Sequence, residues 1–148
     1  MYKIEKDCEV YDARDKVLGR LASVVAKSLL NGKSVAVINA EDAIITGDKK
    51  GIIDKYRTRL NLKESENPEH SPYWPRRPDM LVRRIIRGML PYRMPRGKDA
   101  YRRLLVFQGI PVELKNAKPV KIEAKDPKGI YVRYLKVGEL SKLLGYNK

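Results

Sequence analysis

The chain has 148 residues, of which 32 are Lys or Arg and 18 are Asp or Glu, so its formal net charge is +14. The length suits one compact domain. Hydrophobic residues make up 43% of the chain, which excludes a disordered tail of low hydrophobicity. A polyanion is the partner that this charge favours.

Several classes of protein are excluded by what the sequence lacks. The single cysteine, Cys8, cannot form an intramolecular disulfide, which favours a reducing compartment. One Cys and one His are too few for the four ligands of a structural zinc site. No stretch approaches the roughly 20 apolar residues of a membrane span, and residues 1–6 lack the apolar segment of a signal peptide. We therefore expect a soluble protein that binds no metal and no cofactor.

The positive charge is concentrated in the middle of the chain. Residues 1–48 have a net charge of −1, residues 49–103 carry 16 basic and 6 acidic side chains, and residues 104–148 have a net charge of +5. Arg outnumbers Lys in residues 76–103, and its planar guanidinium favours bidentate contacts with phosphate. We expect the middle segment to face the polyanion and the first third to build the scaffold.

The first third predicts a βαβ unit. Residues 9–13, 34–39 and 43–46 are short runs rich in apolar and β-branched residues, which is typical of buried strands. Between the first two runs, apolar residues recur at helical spacing until Asn31 and Gly32, which commonly end helices. A strand, a helix and a strand in this order predict a parallel pair joined by a right-handed crossover.

The segment after the third strand predicts a helix and then a loop. Residues 48–60 have helical character, and the helix carries Lys49 and Lys50 in its first turn. Residues 63–78 are polar and contain four prolines. We expect them to form a loop that is ordered, or that becomes ordered on binding.

A second cationic helix is expected at residues 79–90. At 100° per residue its apolar residues fall on one arc, and Arg83, Arg84 and Arg87 fall opposite. A solvated face is the ordinary explanation, but solvated faces interleave charges, and here Asp79 is the one nearby acid in the sequence. The mutual repulsion of the arginines therefore favours a face that binds a polyanion.

The rest of the chain predicts short elements. Pro91 ends the second helix, because proline cannot continue the hydrogen-bonding pattern. The expected elements after it are a basic turn at residues 91–98, a helical turn at 99–103, a strand at 104–109, weak strands at 120–122 and 131–135, and a closing helix at 137–145.

Two motifs that would indicate nucleotide binding fail on spacing. Residues 31–34 read NGKS, but the first glycine of a phosphate-binding loop would fall on Lys27, and the triplet leads from a helix to a strand. No GxGxxG pattern follows the first strand, where Gly19 stands alone. We therefore expect no nucleotide site.

A few residues have both an ordinary and a functional explanation. His70 has no cysteine near it in the sequence, so we expect an exposed loop residue and not a general base. Asp12 and Asp15 more often cap the following helix or form an Asx turn than act as paired acids. Tyr73 and Trp74 either pack onto their own domain or stack on unpaired bases.

These segments together resemble a known family. The stretch VYDARDKVLGRLASVVAKSLLNGKSVAVINAEDAIITG, followed by RRPDMLVRRIIRGMLPYRMPRGKDAYRRLLVFQGIP, is similar to the universal large-subunit ribosomal protein family numbered thirteen, in its archaeal form. The matching blocks cover most of residues 10–111, and the combination of LGRLAS, NAEDAIITG and RGMLP at these distances is highly specific. The tail resembles the archaeal and eukaryotic branch only loosely.

The resemblance implies a fold and a function. The implied fold is a three-layer α/β/α domain with a mainly parallel four-stranded sheet, so that residues 1–148 form one domain with a loosely matched extension from about residue 112. The implied function is that of a cytoplasmic structural component of the large ribosomal subunit, without catalytic residues. Such a protein binds large-subunit ribosomal RNA next to other ribosomal proteins and supports early assembly.

The cationic residues selected by charge and by the resemblance coincide. By position, the RGMLP block falls on residues 87–91, and the basic turn follows it. The residues that we expect to contact RNA are Lys49, Lys50, Arg76, Arg77, Arg83, Arg84, Arg87, Arg93, Arg96, Lys98, Arg102 and Arg103.

Two competing functions follow from the residues alone. An enzyme on a Rossmann-like sheet would share the βαβ start, but it would need a small-molecule substrate site that no motif here supplies. Adsorption to an anionic membrane would need an amphipathic helix with an exposed apolar face, whereas these apolar faces are expected in the core.

Overall fold

The computed structural model describes residues 8–122 and 133–147. The strands are β1 (Glu9–Asp12), β2 (Val35–Ile38), β3 (Ile44–Thr46), β4 (Leu104–Val106) and β5 (Tyr134–Lys136). The helices are α1 (Leu18–Leu30), α2 (Lys49–Asn61), α3 (Pro78–Gly88), α4 (Pro95–Arg102) and α5 (Val137–Leu143), with 3-10 turns at Ala40–Asp42, Pro68–His70 and Val112–Leu114.

The predicted βαβ unit is confirmed. Strands β1 and β2 are parallel, with Val10 opposite Ala36, and α1 lies between them in the chain. Strand β4 adds to the other side of β2 in the same direction, so that Val35 lies opposite Leu104. The parallel sheet therefore has the order β1-β2-β4.

The expected four-stranded parallel sheet is not what the described residues form. Strand β3 leaves the parallel sheet and pairs antiparallel with β5, with Ile44 opposite Lys136. Only residues 39–43 link β2 to β3, and a parallel crossover needs about a dozen residues or more. Asn39, at φ 54°, begins the 3-10 turn that redirects the chain. A link this short prevents β3 from pairing in parallel with β2, and β3 pairs with β5 instead.

The two faces of the parallel sheet have different covers. Tyr11, Val35 and Val37 face one core, which α1, α3 and α4 cover. Residues that alternate with them, such as Ala36, face a smaller cluster that includes Leu114 of the turn Val112–Leu114. On this side the described residues supply a 3-10 turn and irregular chain, and not the α-helical layer expected of an α/β/α sandwich.

The prolines of the segment around Val112–Leu114 explain why it forms a turn and not a helix. Pro111 and Pro119 bracket the segment, and proline donates no backbone hydrogen bond, so the chain between them forms a single turn. The weak strand expected at residues 120–122 is not formed, although the Val120 N–H donates to the Val10 carbonyl at 2.8 Å. The segment thus borders the open edge of β1 without extending the sheet.

Helix α3 lies between two hydrophobic clusters. Its residues Val82 and Ile86 are buried in the core above the parallel sheet. Its Leu81 is buried in a second cluster with Tyr56 of α2 and Leu140 of α5. Because both clusters hold the same helix, its remaining face is fixed in direction.

Several local expectations are corrected. The basic turn is shorter than residues 91–98, because α4 begins at Pro95, and proline is favoured in the first helical turn. Of the two alternatives for the aspartates, the Asx turn is confirmed for Asp12, which accepts the Arg14 N–H at 3.0 Å. Neither aspartate caps α1, and Asp15 has φ 56°. The closing helix is confirmed as α5. Of the weak strand expected at residues 131–135, residues 131–132 lie outside the described part of the chain.

Replacing Leu21 with Ala tests the packing of α1. Leu21 has no exposed surface, so we expect the cavity to lower the free energy of unfolding by about 2–5 kcal/mol, measured by denaturant titration. Val24 on the same helix is 37% exposed, and V24A should change that free energy by about 0.5 kcal/mol or less. Equal losses in the two variants would contradict this packing.

Candidate nucleic-acid interface

The predicted cationic face of α3 is formed, but its arginines are not freely solvated. Arg83, Arg84 and Arg87 are each half-buried. The Arg84 Cζ lies 4.0 Å from the centre of the Trp74 ring, and that of Arg87 lies 5.0 Å from the Tyr92 ring. Stacking on aromatic rings orients the guanidinium planes and reduces the side-chain freedom that binding would otherwise remove.

The same arrangement includes elements outside α3. The Arg83 Cζ lies 4.7 Å from the Tyr101 ring of α4, and the Arg59 Cζ of α2 lies 4.5 Å from the Trp74 ring. Tyr92 and Tyr101 meet edge to face with their centroids 5.3 Å apart. We call this set the arginine–aromatic cluster; it consists of Arg59, Arg83, Arg84, Arg87, Tyr56, Trp74, Tyr92 and Tyr101.

The cluster is crowded with positive charge. Burial, and then repulsion from Arg87 and Arg59, lowers the pKa of the Arg84 guanidinium below its ordinary value. In the part of the chain that the structure describes, none of the four arginines forms an ion pair with a carboxylate, and the buried Nε of Arg83 has no hydrogen-bond partner. Since a guanidinium stays protonated, an external anion would relieve this repulsion.

Trp74 and Tyr73 differ in environment. Trp74 is half-buried and meets Tyr56 edge to face with their ring centres 6.3 Å apart. This contact agrees with the alternative in which the loop packs onto its own domain. Tyr73 is 81% exposed. Its backbone is nevertheless held, because Arg84 Nη1 donates to the Tyr73 carbonyl at 2.7 Å. The loop therefore packs through Trp74 and presents Tyr73 outward.

Four of the residues predicted to contact RNA are free to bind an anion. Their side chains are exposed, and in the described ranges none of these side chains forms a hydrogen bond or an ion pair. These residues are Lys50, Arg76, Arg93 and Lys98.

Three other predicted residues have acidic partners. Lys49 pairs with Glu139 of α5, and Arg102 pairs with Asp99 at 3.2 Å. Arg77 makes a bidentate contact with Asp79, at 3.2 and 2.9 Å. The pairs of Lys49 and Arg102 are largely exposed, and such pairs contribute little to stability, so they do not prevent an additional phosphate contact. The Asp79 side chain is mostly buried and also accepts a hydrogen bond from Gln108, so it holds Arg77 more firmly.

Arg96 and Arg103 contact the end of α1. Arg103 Nη2 donates to the Leu29 carbonyl at 2.9 Å, and Arg96 Nη2 donates to the Leu30 carbonyl at 3.4 Å. Cations at the carbonyl end of a helix satisfy its free acceptors and interact favourably with its dipole. Arg103 is half-buried, so its first role is to join α4 to α1.

The sequence interpretation did not include Arg59 among the site residues. It belongs to the last turn of α2, some distance in sequence from the cationic segment, and only the Trp74 ring brings it next to Arg84. The available signal was an arginine on a helix followed in the sequence by a tryptophan between prolines. That signal does not show that Arg59 and Trp74 are in contact, because the contact depends on the tertiary fold.

The residues of the motifs that failed on spacing have ordinary structural roles. Lys33 of the NGKS motif pairs with Glu9, and Gly32 ends α1 with φ 90°. His70 is exposed, as expected. Among the described residues, no group of three or more His, Cys, Asp or Glu side chains is placed to hold a metal ion. No helix in those ranges is both long and apolar enough to cross a membrane.

Comparison with known proteins decides the family. A family model described as ribosomal protein L13 matches residues 6–113. The large ribosomal subunit protein uL13 of Methanopyrus kandleri is 44% identical over 140 residues, which cover 93% of this chain and 86% of that protein. The chain belongs to the ribosomal protein L13 family. The proteins of the same name from Archaeoglobus fulgidus and Methanosphaera stadtmanae are 42% and 45% identical, covering 95% and 92% of this chain and 89% and 96% of theirs.

Membership of the L13 family confirms the resemblance seen in the sequence. The family consists of ribosomal proteins and not of enzymes, which removes the enzyme interpretation. The alignments with these archaeal relatives extend beyond residue 113, where the family model ends. The tail is therefore shared with archaeal L13 proteins.

Replacing Gly97 with Ala tests the geometry of the basic turn. A Cβ at Gly97 would lie 2.1 Å from the Pro91 carbonyl oxygen, so the turn must open. We expect a loss of about 1–3 kcal/mol in the free energy of unfolding, measured by denaturant titration. Gly19 in α1 has open space around it, and G19A should be neutral or stabilising by up to about 1 kcal/mol. A G97A variant as stable as G19A would refute the close approach.

Proposed function

We propose that this chain is a structural component of the large ribosomal subunit that binds large-subunit ribosomal RNA and supports early subunit assembly. The observation that carries the proposal is the arginine–aromatic cluster, which gathers four guanidinium groups without a carboxylate partner among the described residues. The family and the names of the archaeal relatives support ribosomal RNA as this polyanion.

The mechanism is positional. The parallel sheet and the two hydrophobic clusters hold α3 rigidly, and the rings hold its arginines in fixed planes. Phosphate oxygens accept paired hydrogen bonds from a guanidinium, so a set of oriented guanidinium groups recognises a folded RNA backbone. We expect the exposed Arg93 and Lys98 of the following turn and helix to add phosphate contacts beside it.

The preformed surface supports a role early in assembly. An interface that is ordered before binding loses little conformational entropy on binding, so it does not need neighbouring proteins to organise it. We expect the partners to be large-subunit ribosomal RNA and adjacent ribosomal proteins in the cytoplasmic ribosome. A membrane role has no support, because the apolar faces of α1 and α3, with Leu21 and Val82 among their buried residues, pack in the core.

The salt dependence of RNA binding tests this proposal. If about eight phosphates are neutralised, the logarithm of the affinity for a large-subunit ribosomal RNA transcript should fall with the logarithm of salt at a slope of roughly −6 to −7. R87A should weaken binding and keep the wild-type circular dichroism spectrum. A slope near zero, or no binding to the transcript, would contradict the proposal.

A matched pair of variants locates the contact. Arg93 is exposed next to α3, and R93A should lower the affinity and make the slope shallower by about 0.7 to 0.9. Lys115 is also exposed, but it follows the turn that covers the other face of the sheet, and K115A should leave both quantities unchanged. A loss of affinity in K115A and not in R93A would place the RNA on the other face of the sheet and contradict the proposal.

A further inference from the structure

A hollow of about 250 Å³ lies next to the arginine–aromatic cluster. Its walls are aromatic, apolar and cationic together, and Arg76 and Arg77 complete them. We call it the Tyr73 hollow; its other lining residues are Tyr73, Pro75, Met80, Arg84, Arg87 and Tyr101. The hollow is open to solvent on one side and is large enough to admit one planar base.

Tyr73 is placed to stack on such a base. The residue is 81% exposed, although its carbonyl accepts a hydrogen bond from Arg84, so the packing of the domain does not explain the position of its side chain. A second hollow of about 350 Å³ shares Tyr73, Arg76 and Arg77 with the first, so the ring stands between two open spaces. A fixed backbone that presents a bare ring is the geometry of a stacking platform.

The charge of the lining selects the occupant. The Tyr73 hollow is lined by four arginines and by no carboxylate of the described residues. Arg77 already pairs with Asp79, whereas Arg76 is exposed and unpaired in that part of the chain. A planar group attached to a phosphate matches both the rings and the guanidinium groups, and an apolar protein segment matches only the rings.

We propose that the Tyr73 hollow seats an unpaired nucleobase of the bound RNA, which stacks on the Tyr73 ring while Arg76 contacts an adjoining phosphate. This inference rests on the proposed function, and it adds that the protein reads a single-stranded feature of the RNA as well as its backbone. Unpaired bases splayed from loops and bulges are what aromatic side chains recognise in RNA.

The test compares affinity with salt slope for the full chain and a large-subunit ribosomal RNA transcript. Loss of one base–aromatic stack should make Y73A bind roughly 5- to 150-fold more weakly at an unchanged slope. Y73F keeps the ring and should bind within about twofold of wild type. R76A removes a phosphate contact and should make the slope shallower by about 0.7 to 0.9.

Three results would overturn the inference. Unchanged affinity in Y73A shows that no base stacks there, and an equal loss in Y73F shows that the hydroxyl matters and not the ring. A loss that occurs only in assembled subunits, and not with the transcript, assigns the hollow to a neighbouring protein. The control is the emission spectrum of Trp74, the single tryptophan, which stacks with Arg84 of the hollow; an unchanged spectrum in Y73A shows that the loop is still packed. If wild type fails to bind the transcript, the proposed function itself fails; if wild type binds and Y73A binds equally, only the stacking site is lost.

Discussion

The double anchoring of α3 is the constraint on which the rest of the structure depends. Val82 and Ile86 belong to the core above the parallel sheet, whereas Leu81 belongs to the cluster formed with α2 and α5. A helix held on one side could rotate to separate its arginines from the rings beside them. Because α3 is held on two sides, the apolar contacts that stabilise the fold also determine where its positive charge points.

The arginine–aromatic cluster shows how the domain tolerates this charge before it binds. Each guanidinium is in contact with a ring, and cation–π contacts contribute roughly 0.5–2 kcal/mol each, depending on burial. That contribution offsets part of the repulsion but leaves the charge without a counterion among the described side chains. The cation–π contacts thus reduce the cost of gathering these charges in the free domain, and contact with phosphate would lower the energy further.

The sequence predicted the parts of the fold that depend on neighbouring residues. Strands β1 to β4 and helices α1, α2, α3 and α5 follow from local periodicity and from turn residues, and the structure confirms them within a few residues, whereas the strand expected at residues 120–122 is not formed. The partner of β3 could not be predicted, because β5 lies far along the chain and its sequence signal is weak. In residues 8–122 and 133–147 no helical layer covers the second face of the sheet, because the segment that packs there lies between two prolines and forms a single turn, in a part of the chain to which the resemblance did not extend.

The candidate site was predicted in part for the same reason. Helical spacing placed Arg83, Arg84 and Arg87 on one face, but it could not show that rings from a loop and from α4 would cover them. Arg103 was grouped with them by charge, and the structure turns it towards the α1 carbonyls. Charge counting finds the cationic segment, and only the tertiary contacts separate a side chain that joins helices from one that faces outward.

The most direct test of the central claim is gradient sedimentation of cell extracts that contain tagged wild type or the R84A/R87A double variant, at increasing salt. We predict that wild type sediments with the large subunit through moderate salt, and that the double variant, with an unchanged circular dichroism spectrum, is released at lower salt. Wild type that stays at the top of the gradient, or two proteins released at the same salt, would contradict the account.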